Sequence, residues 1–188
     1  ELPTYPAESG VAYAAHFGSD SLNWVRTDGS DLREVGSMAL DGFTHDLDID
    51  PVNDLLVVVH DIERKIVLYQ LDKPAGAGAP IADPTRLSEI EFEAGVYLAK
   101  IDGYHNRLYS LTLEGSSDGS PVTETDMWVH DISDPTSPTL LAQATVPTSA
   151  SWDIDPVRQL MFVYGNDNLS IFDIAAERFR ELPGSPIS

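Results

Sequence analysis

Acidic side chains recur at every second position of one short segment, residues 45–50, which reads HDLDID. In an extended strand alternate side chains share a face, so Asp46, Asp48 and Asp50 are predicted to point one way and the apolar residues between them the other. Hard cations such as Ca²⁺ take several oxygen ligands, so carboxylates grouped on one face form a candidate cation site.

Two later segments, YLAKID and SWDID, repeat this pattern and place Lys100 and Asp153 at the position of Asp48. A lysine among carboxylates supplies its own countercharge, which argues against a bound metal. We therefore favour a structural role for these side chains and expect no cofactor. Should Ca²⁺ bind, its candidate ligands are Asp46, Asp48 and Asp153.

Other residue types that bind or react form weaker patterns in this chain. None of the five histidines pairs with another at a metal-ligand spacing, no serine lies in a nucleophile-elbow sequence, and cysteine is absent. Trp128 and Trp152 fit core positions, which leaves Trp24 as the tryptophan that could stack on a sugar or a peptide. The sequence thus favours a protein without catalytic activity.

The acidic segments belong to a longer repeat, in which a short strand, a turn such as DPV or DGY, and a second apolar strand follow one another. Aligning Leu55, Leu108 and Leu160 gives spacings of 53 and 52 residues. A period of this size built from strands predicts a β-propeller. We expect one all-β domain, 1–188, with about four repeats of four antiparallel strands, at 1–42, 43–95, 96–148 and 149–188.

The first repeat looks incomplete, because Pro3 and Pro6 weaken its innermost strand. Two arrangements stay open: a small closed ring, or part of a larger propeller completed by a missing segment or by another chain, as in a homo-oligomer. We favour the second, since both termini are poor closing strands. Two inserts, the Pro/Gly/Ala-rich 73–84 and the polar 114–125, are predicted to be exposed loops that contact a partner.

Charge and hydropathy exclude several kinds of partner. The chain carries 31 acidic and 11 basic residues, a net charge of −20, which disfavours binding to nucleic acid and to anionic lipid. No apolar run approaches the ~18 residues that a membrane span requires, so we expect no membrane insertion.

Two segments resemble known propeller repeats. Residues 129–141, VHDISDPTSPTLL, resemble the LVIVD repeats of bacterial surface proteins, in which a strand ends in a Ser-Asp-Pro-x-x-Pro loop before the outer strand. Residues 27–33, TDGSDLR, with DPVN at 50–53, resemble the YWTD repeats of lipoprotein receptors, although VVVHD replaces the namesake residues. The resemblance implies a bladed ring that is secreted, periplasmic or on the cell surface, and it implies no catalytic residue.

Two functions follow as hypotheses. The first is a non-catalytic exported β-propeller, a binding or scaffold protein that presents loops to a protein or glycan partner. The alternative is a metal-dependent propeller hydrolase of the lactonase or phytase type, with a cation held in the central channel by Asp46, Asp48 and Asp153.

Overall fold

A computed structural model describes residues 10–15, 20–26, 33–73, 79–113, 124–148, 151–165, 167–175 and 179–187. Within these ranges the strands form four antiparallel sheets and no α-helix occurs, which confirms the predicted all-β, propeller-like fold. None of the described elements is a helix long and apolar enough to cross a bilayer.

Each sheet contains strands that are consecutive in the chain, and we number the sheets as blades. The strands are, for blade 1, β1 (Val11–Ala15), β2 (Ser21–Arg26) and β3 (Arg33–Ala39); for blade 2, β4 (Thr44–Asp50), β5 (Leu55–His60), β6 (Lys65–Gln70) and β7 (Thr85–Glu91); for blade 3, β8 (Gly95–Asp102), β9 (Arg107–Leu113), β10 (Glu124–Asp131) and β11 (Thr139–Pro147); for blade 4, β12 (Ser151–Asp155), β13 (Leu160–Gly165), β14 (Asn168–Asp173) and β15 (Arg180–Glu181).

The blades stack face to face, and a hydrophobic cluster fills each space between neighbours. The sequence of strand β5, LLVVVH, does not alternate between apolar and polar residues, because all six residues are buried. Val57 packs towards blade 3 and Val58 towards blade 1. A strand covered on both faces needs apolar residues at every position, and each such side chain contributes about 1.5–3 kcal/mol on burial.

The strand register corrects the leucine alignment in blade 3. Leu55 and Leu160 each pair with the aspartate that ends the preceding strand, and the residue in that position of blade 3 is Arg107, paired with Asp102. Leu108 therefore lies one residue further along and faces blade 2. Because side chains alternate between the faces of a strand, a shift of one residue reverses the face.

Several predicted features lie outside the described residues. They are the inner strand expected near 2–7, the first part of the YWTD-like motif at 27–32, and parts of the two inserts, at 74–78 and 114–123. The end of the first insert is described: the carbonyl of Ala79 accepts a hydrogen bond from the guanidinium of Arg26 in blade 1.

The LVIVD-like segment has the strand, loop and outer strand expected of it. Strand β10 ends at Asp131, whose Oδ1 accepts the Ser133 amide at 2.8 Å. Asp134 Oδ1 then accepts the Thr136 amide at 3.0 Å, and β11 follows. Two consecutive Asx turns therefore order this loop.

Two histidines are buried in the blades. His60 is fully buried at the end of β5, and burial, followed by the charge of Lys65, lowers its pKa. His130 is 6 % exposed and meets the ring of Phe92 edge-on at 5.9 Å. Burial lowers the pKa of His130 to about 4, so the folded protein holds this side chain neutral.

We predict that His130→Gln reduces the acid sensitivity of the fold. The unfolded chain takes up a proton on this residue near pH 6.5 and the folded chain only near pH 4, so stability is complete above pH 6.5 and falls as the pH drops between these values. The loss approaches roughly 3 kcal/mol below the folded pKa. Urea unfolding of both proteins from pH 7 to pH 4 measures it; parallel stability curves would contradict the assignment.

Candidate functional site

Strands β4 and β8 are the inner edge strands of blades 2 and 3, each paired with another strand on one side only. Three side chains of β4 bridge to the backbone of β8, and we call this arrangement the inter-blade clasp. Its hydrogen bonds run from His45 Nδ1 to the Tyr97 carbonyl (2.5 Å), from the Ala99 amide to Asp46 Oδ2 (3.1 Å) and from the Ile101 amide to Asp48 Oδ2 (2.8 Å).

The clasp satisfies a strand edge that no other strand covers. Alternate residues of a strand direct their backbone polar groups to the same edge, so Tyr97, Ala99 and Ile101 present theirs away from β9. A buried amide left without a partner costs about 1–3 kcal/mol. The alternating carboxylates of β4 thus replace a neighbouring strand, which gives the HDLDID pattern a structural role.

Burial raises the pKa of both clasp carboxylates. For Asp46 and for Asp48 the loss of hydration is the largest effect, and the backbone hydrogen bonds from β8 and the nearby Lys100 ammonium oppose it. Hydrogen bonds from fixed N–H groups therefore stabilise the charged carboxylates in place of hydration by bulk water.

The contact between blades 3 and 4 is built differently. Lys100 occupies the position that Asp48 has in blade 2, and an ammonium cannot accept a hydrogen bond. The amide of Ile154, equivalent to that of Ile101, instead donates to Asp153 Oδ1 in its own strand at 2.9 Å. Asp153 is exposed. Between the described parts of blades 3 and 4, a hydrogen bond within β12 therefore takes the place of the bond that Asp48 makes across the boundary between blades 2 and 3.

Asp48, Lys100 and Asp153 line one cleft of about 260 Å³ at the ends of the inner strands. The repeat alignment had placed these three residues at equivalent positions, and the fold brings them together. Asp46 is not part of the cleft lining. Among the described residues no group of three or more histidine, aspartate or glutamate side chains is arranged to hold a metal ion.

The turns that follow the three inner strands have a common geometry and form the edge of this cleft. In each, the aspartate that ends the inner strand accepts amide hydrogen bonds from the turn, and the residue before the next strand has a positive φ. The bonds are Val52 N to Asp50 (2.8 Å), Tyr104 N to Asp102 (3.0 Å) and Arg158 N to Asp155 (3.0 Å), and the positive φ angles are 56° at Asp54, 53° at Asn106 and 52° at Gln159.

One of these turns contains an aspartate–histidine pair that resembles a catalytic dyad. His105 Nδ1 lies 2.7 Å from the buried Asp102 carboxylate, and the Gln159 amide donates to His105 Nε2 at 2.7 Å. The same two positions hold Asn53 with Asp50 in blade 2 and an arginine–aspartate pair in blade 4. The position of His105 thus holds Asn, His or Arg in the three turns, and in each of them this side chain braces the turn through the aspartate.

Gly103 stands where the other two turns have proline, because the turn of blade 2 lies directly against it. A Cβ at this position would be 2.0 Å from Asp50 Oδ1. The Asn53 side chain also donates to the Gly103 carbonyl at 2.9 Å. The two turns are thus joined across the blade boundary and form a rigid base for the cleft.

An apolar side chain projects from the same place in each of the three turns, and we call this set the rim. Its members are Val52, Tyr104 and Val157, which are 43 %, 38 % and 60 % exposed. Sequence reasoning missed the rim. The available signal was an apolar residue two positions after each inner-strand aspartate, in turns that otherwise favour polar residues.

Trp24 is fully buried between blades 1 and 2, so the prediction that it stacks on a ligand is wrong. Gly36 lies opposite it on β3, and a Cβ there would be 2.3 Å from the indole ring. The glycine provides the space that the indole fills, and Tyr13 packs beside it with ring centroids 6.2 Å apart. A glycine inside the neighbouring strand was the signal for a buried tryptophan.

We predict different effects for two substitutions at the clasp. Asp48→Asn keeps an oxygen that can accept the Ile101 amide and removes a buried charge, so stability should change by less than about 1 kcal/mol. Asp48→Ala leaves that amide without a partner and should cost about 1–3 kcal/mol. Urea unfolding measures both, with the exposed Asp83→Ala as the control. Equal losses for the Asn and Ala variants would refute the clasp.

Comparison with known proteins gives the fold and no family. No family model and no curated protein matches the chain. Among solved structures, a protein proposed to be a 6-phosphogluconolactonase from Bacteroides fragilis matches with a TM-score of 0.71 and 10 % identity, over 95 % of this chain and 52 % of its own. The WD40 domain of Toxoplasma gondii coronin matches with a TM-score of 0.65 and 12 % identity, over 95 % and 43 %.

A chain of a nidogen–laminin complex matches with a TM-score of 0.63 and 12 % identity, over 92 % of this chain and 59 % of its own. The chain described here therefore spans about half the length of these structures. Similarity at this level of identity establishes architecture alone: the four sheets are blades of a β-propeller-like fold.

Proposed function

We propose that this protein is a non-catalytic, exported β-propeller that binds a protein partner through the rim around the cleft. The observation that supports this proposal is the rim: Val52, Tyr104 and Val157 are exposed at equivalent positions of three braced turns. Exposed apolar side chains grouped on a rigid base and surrounded by polar groups are typical of protein-binding sites.

The cleft supplies polar contacts that would orient such a partner. Its lining combines the rim residues Val52 and Tyr104 with the charged groups of Asp48, Lys100 and Asp153. An apolar margin around a few fixed polar groups matches the composition of recognition sites, in which burial gives affinity and polar groups give specificity. The described lining contains no serine, threonine or histidine, so a hydroxyl nucleophile of the serine–histidine type has no components there.

The comparisons support a protein partner more than a glycan. One of the similar chains belongs to a nidogen–laminin complex, an assembly of two proteins, and another is a WD40 domain. The LVIVD-like and YWTD-like segments support an exported location, and the ordered Asx-turn loop at 131–138 agrees with the first of them.

A second candidate function is a propeller hydrolase with a cation in the channel. Two observations favour it: Asp48 and Asp153 share the cleft, and the Bacteroides fragilis structure is of a proposed 6-phosphogluconolactonase. In that case the carboxylates of Asp48 and Asp153 would be cation ligands, with Asp46 nearby on β4, the strand that carries Asp48.

Replacing the rim residues is expected to abolish partner binding and leave the fold intact. The variant Tyr104→Ser/Val157→Ser removes two side chains that are 38 % and 60 % exposed, so its melting temperature should fall by no more than a few degrees. Labelled wild-type protein screened on peptide and glycan arrays should give peptide signals that this variant loses. Ile62→Ser is the matched control, since Ile62 is 66 % exposed in the turn between β5 and β6. Signals confined to glycans, or unaffected by the rim variant, would contradict the proposal.

Calcium distinguishes the binding protein from the hydrolase. For the binding protein, addition of roughly millimolar Ca²⁺, or of EDTA, should leave the melting temperature unchanged. A channel cation would raise the melting temperature by mass action, and Asp48→Asn/Asp153→Asn would remove that increase. A calcium-dependent increase with hydrolysis of a lactone or phosphate ester would favour the hydrolase.

A further inference from the structure

Blade 4 has one large apolar face that points away from blade 3. Met161 and Val163 of β13 pack towards blade 3, so the alternate residues Phe162 and Tyr164 point to the opposite side. On the adjacent strand β14, Ile171 pairs with Phe162 and Leu169 with Tyr164, which places both on the same face. We call these four residues the open face.

The equivalent positions in the two preceding blades are buried by the blade that follows. In the described structure they are at most 4 % exposed: Val57, Val59, Ile66 and Leu68 in blade 2, and Tyr109, Leu111, Met127 and Val129 in blade 3. In blade 4 the same positions are only partly covered, and Tyr164 is 48 % exposed. The sequence therefore provides this face with the residues of a blade-to-blade contact.

Blade 1 has the complementary feature on the face that points away from blade 2. At exposed positions of its two flanking strands this face carries small side chains, Ala12 and Ala14 of β1 with Ser37 and Ala39 of β3, while Glu34 lies at one end of it. Small side chains on one sheet leave space for large ones on a facing sheet, as interlocking of side chains requires. The open face and this small-residue face are both uncovered in the described chain.

We propose that two copies of this chain close one ring. The open face of each copy packs against the small-residue face of the other, and a two-fold axis along the channel relates the two copies. A head-to-tail contact repeated by a two-fold rotation closes on itself and leaves no free face. The chain spans 52 %, 59 % and 43 % of three structures that it matches, so about two sets of its blades make up a ring of that size.

Asp153 agrees with this assembly. It occupies the position of Asp48, which bonds the next blade in the clasp, yet its carboxylate is exposed and accepts only the amide that follows it among the described residues. A blade placed beside blade 4 would lie within reach of this carboxylate.

Sedimentation velocity of the 188-residue chain at micromolar concentrations tests the assembly. We expect twice the chain mass of 20.5 kDa for the wild type and the single mass for Tyr164→Arg. Ile62→Arg, which places the same charge on an exposed turn, should remain dimeric. A wild-type chain that stays monomeric at all concentrations would overturn the proposal. A chain that folds stably only as part of a longer polypeptide would overturn it too.

A substitution on the other face establishes that the contact is head-to-tail. Ala14→Arg is expected to give a monomer as well, because every contact in the closed ring uses both faces. A dimer that survives Ala14→Arg but not Tyr164→Arg would be a symmetric contact between two open faces, and it would overturn the ring. Circular dichroism of each variant confirms folding, and Ala14→Ser provides a second, milder substitution that should leave the dimer intact.

Discussion

The innermost strand of a propeller blade has one edge with no strand beside it, and the rest of this structure depends on how that edge is satisfied. In blade 3 the edge belongs to β8, and side chains of β4 bond to it. Backbone groups that leave water must find partners, because a buried amide without one costs about 1–3 kcal/mol. The carboxylates of Asp46 and Asp48 meet this need, and they fix the separation and register of two blades.

The cleft and its rim follow from the same constraint. Once β4 and β8 are held in register, the turns that follow them lie side by side, and Gly103 allows the side chain of Asp50 to fill the space between them. The braced turns then hold Val52 and Tyr104 outwards at fixed positions. Where Lys100 replaces the carboxylate, β12 lacks this bond to the preceding blade, and Lys100 lines the cleft together with Asp48 and Asp153.

Much of the fold could be predicted from the sequence, because strand periodicity and turn chemistry are local properties. The repeat also placed Asp48 and Asp153 at equivalent positions, and they share one cleft. Burial of Trp24 could not be derived in this way, since it depends on pairing with Gly36 across two strands. The clasp could not be predicted for a related reason. Its partners in β8 are backbone amide and carbonyl groups, so no particular residue type in β8 indicates them.

Amide hydrogen exchange at Ala99 and Ile101, followed by NMR, tests the clasp most directly. If Asp46 and Asp48 accept these two amides, both should exchange as slowly as the paired amides of the neighbouring strand β9. Exchange of Ala99 and Ile101 at the rate of solvent-exposed amides, while β9 remains protected, would show that the edge is open and would contradict the account.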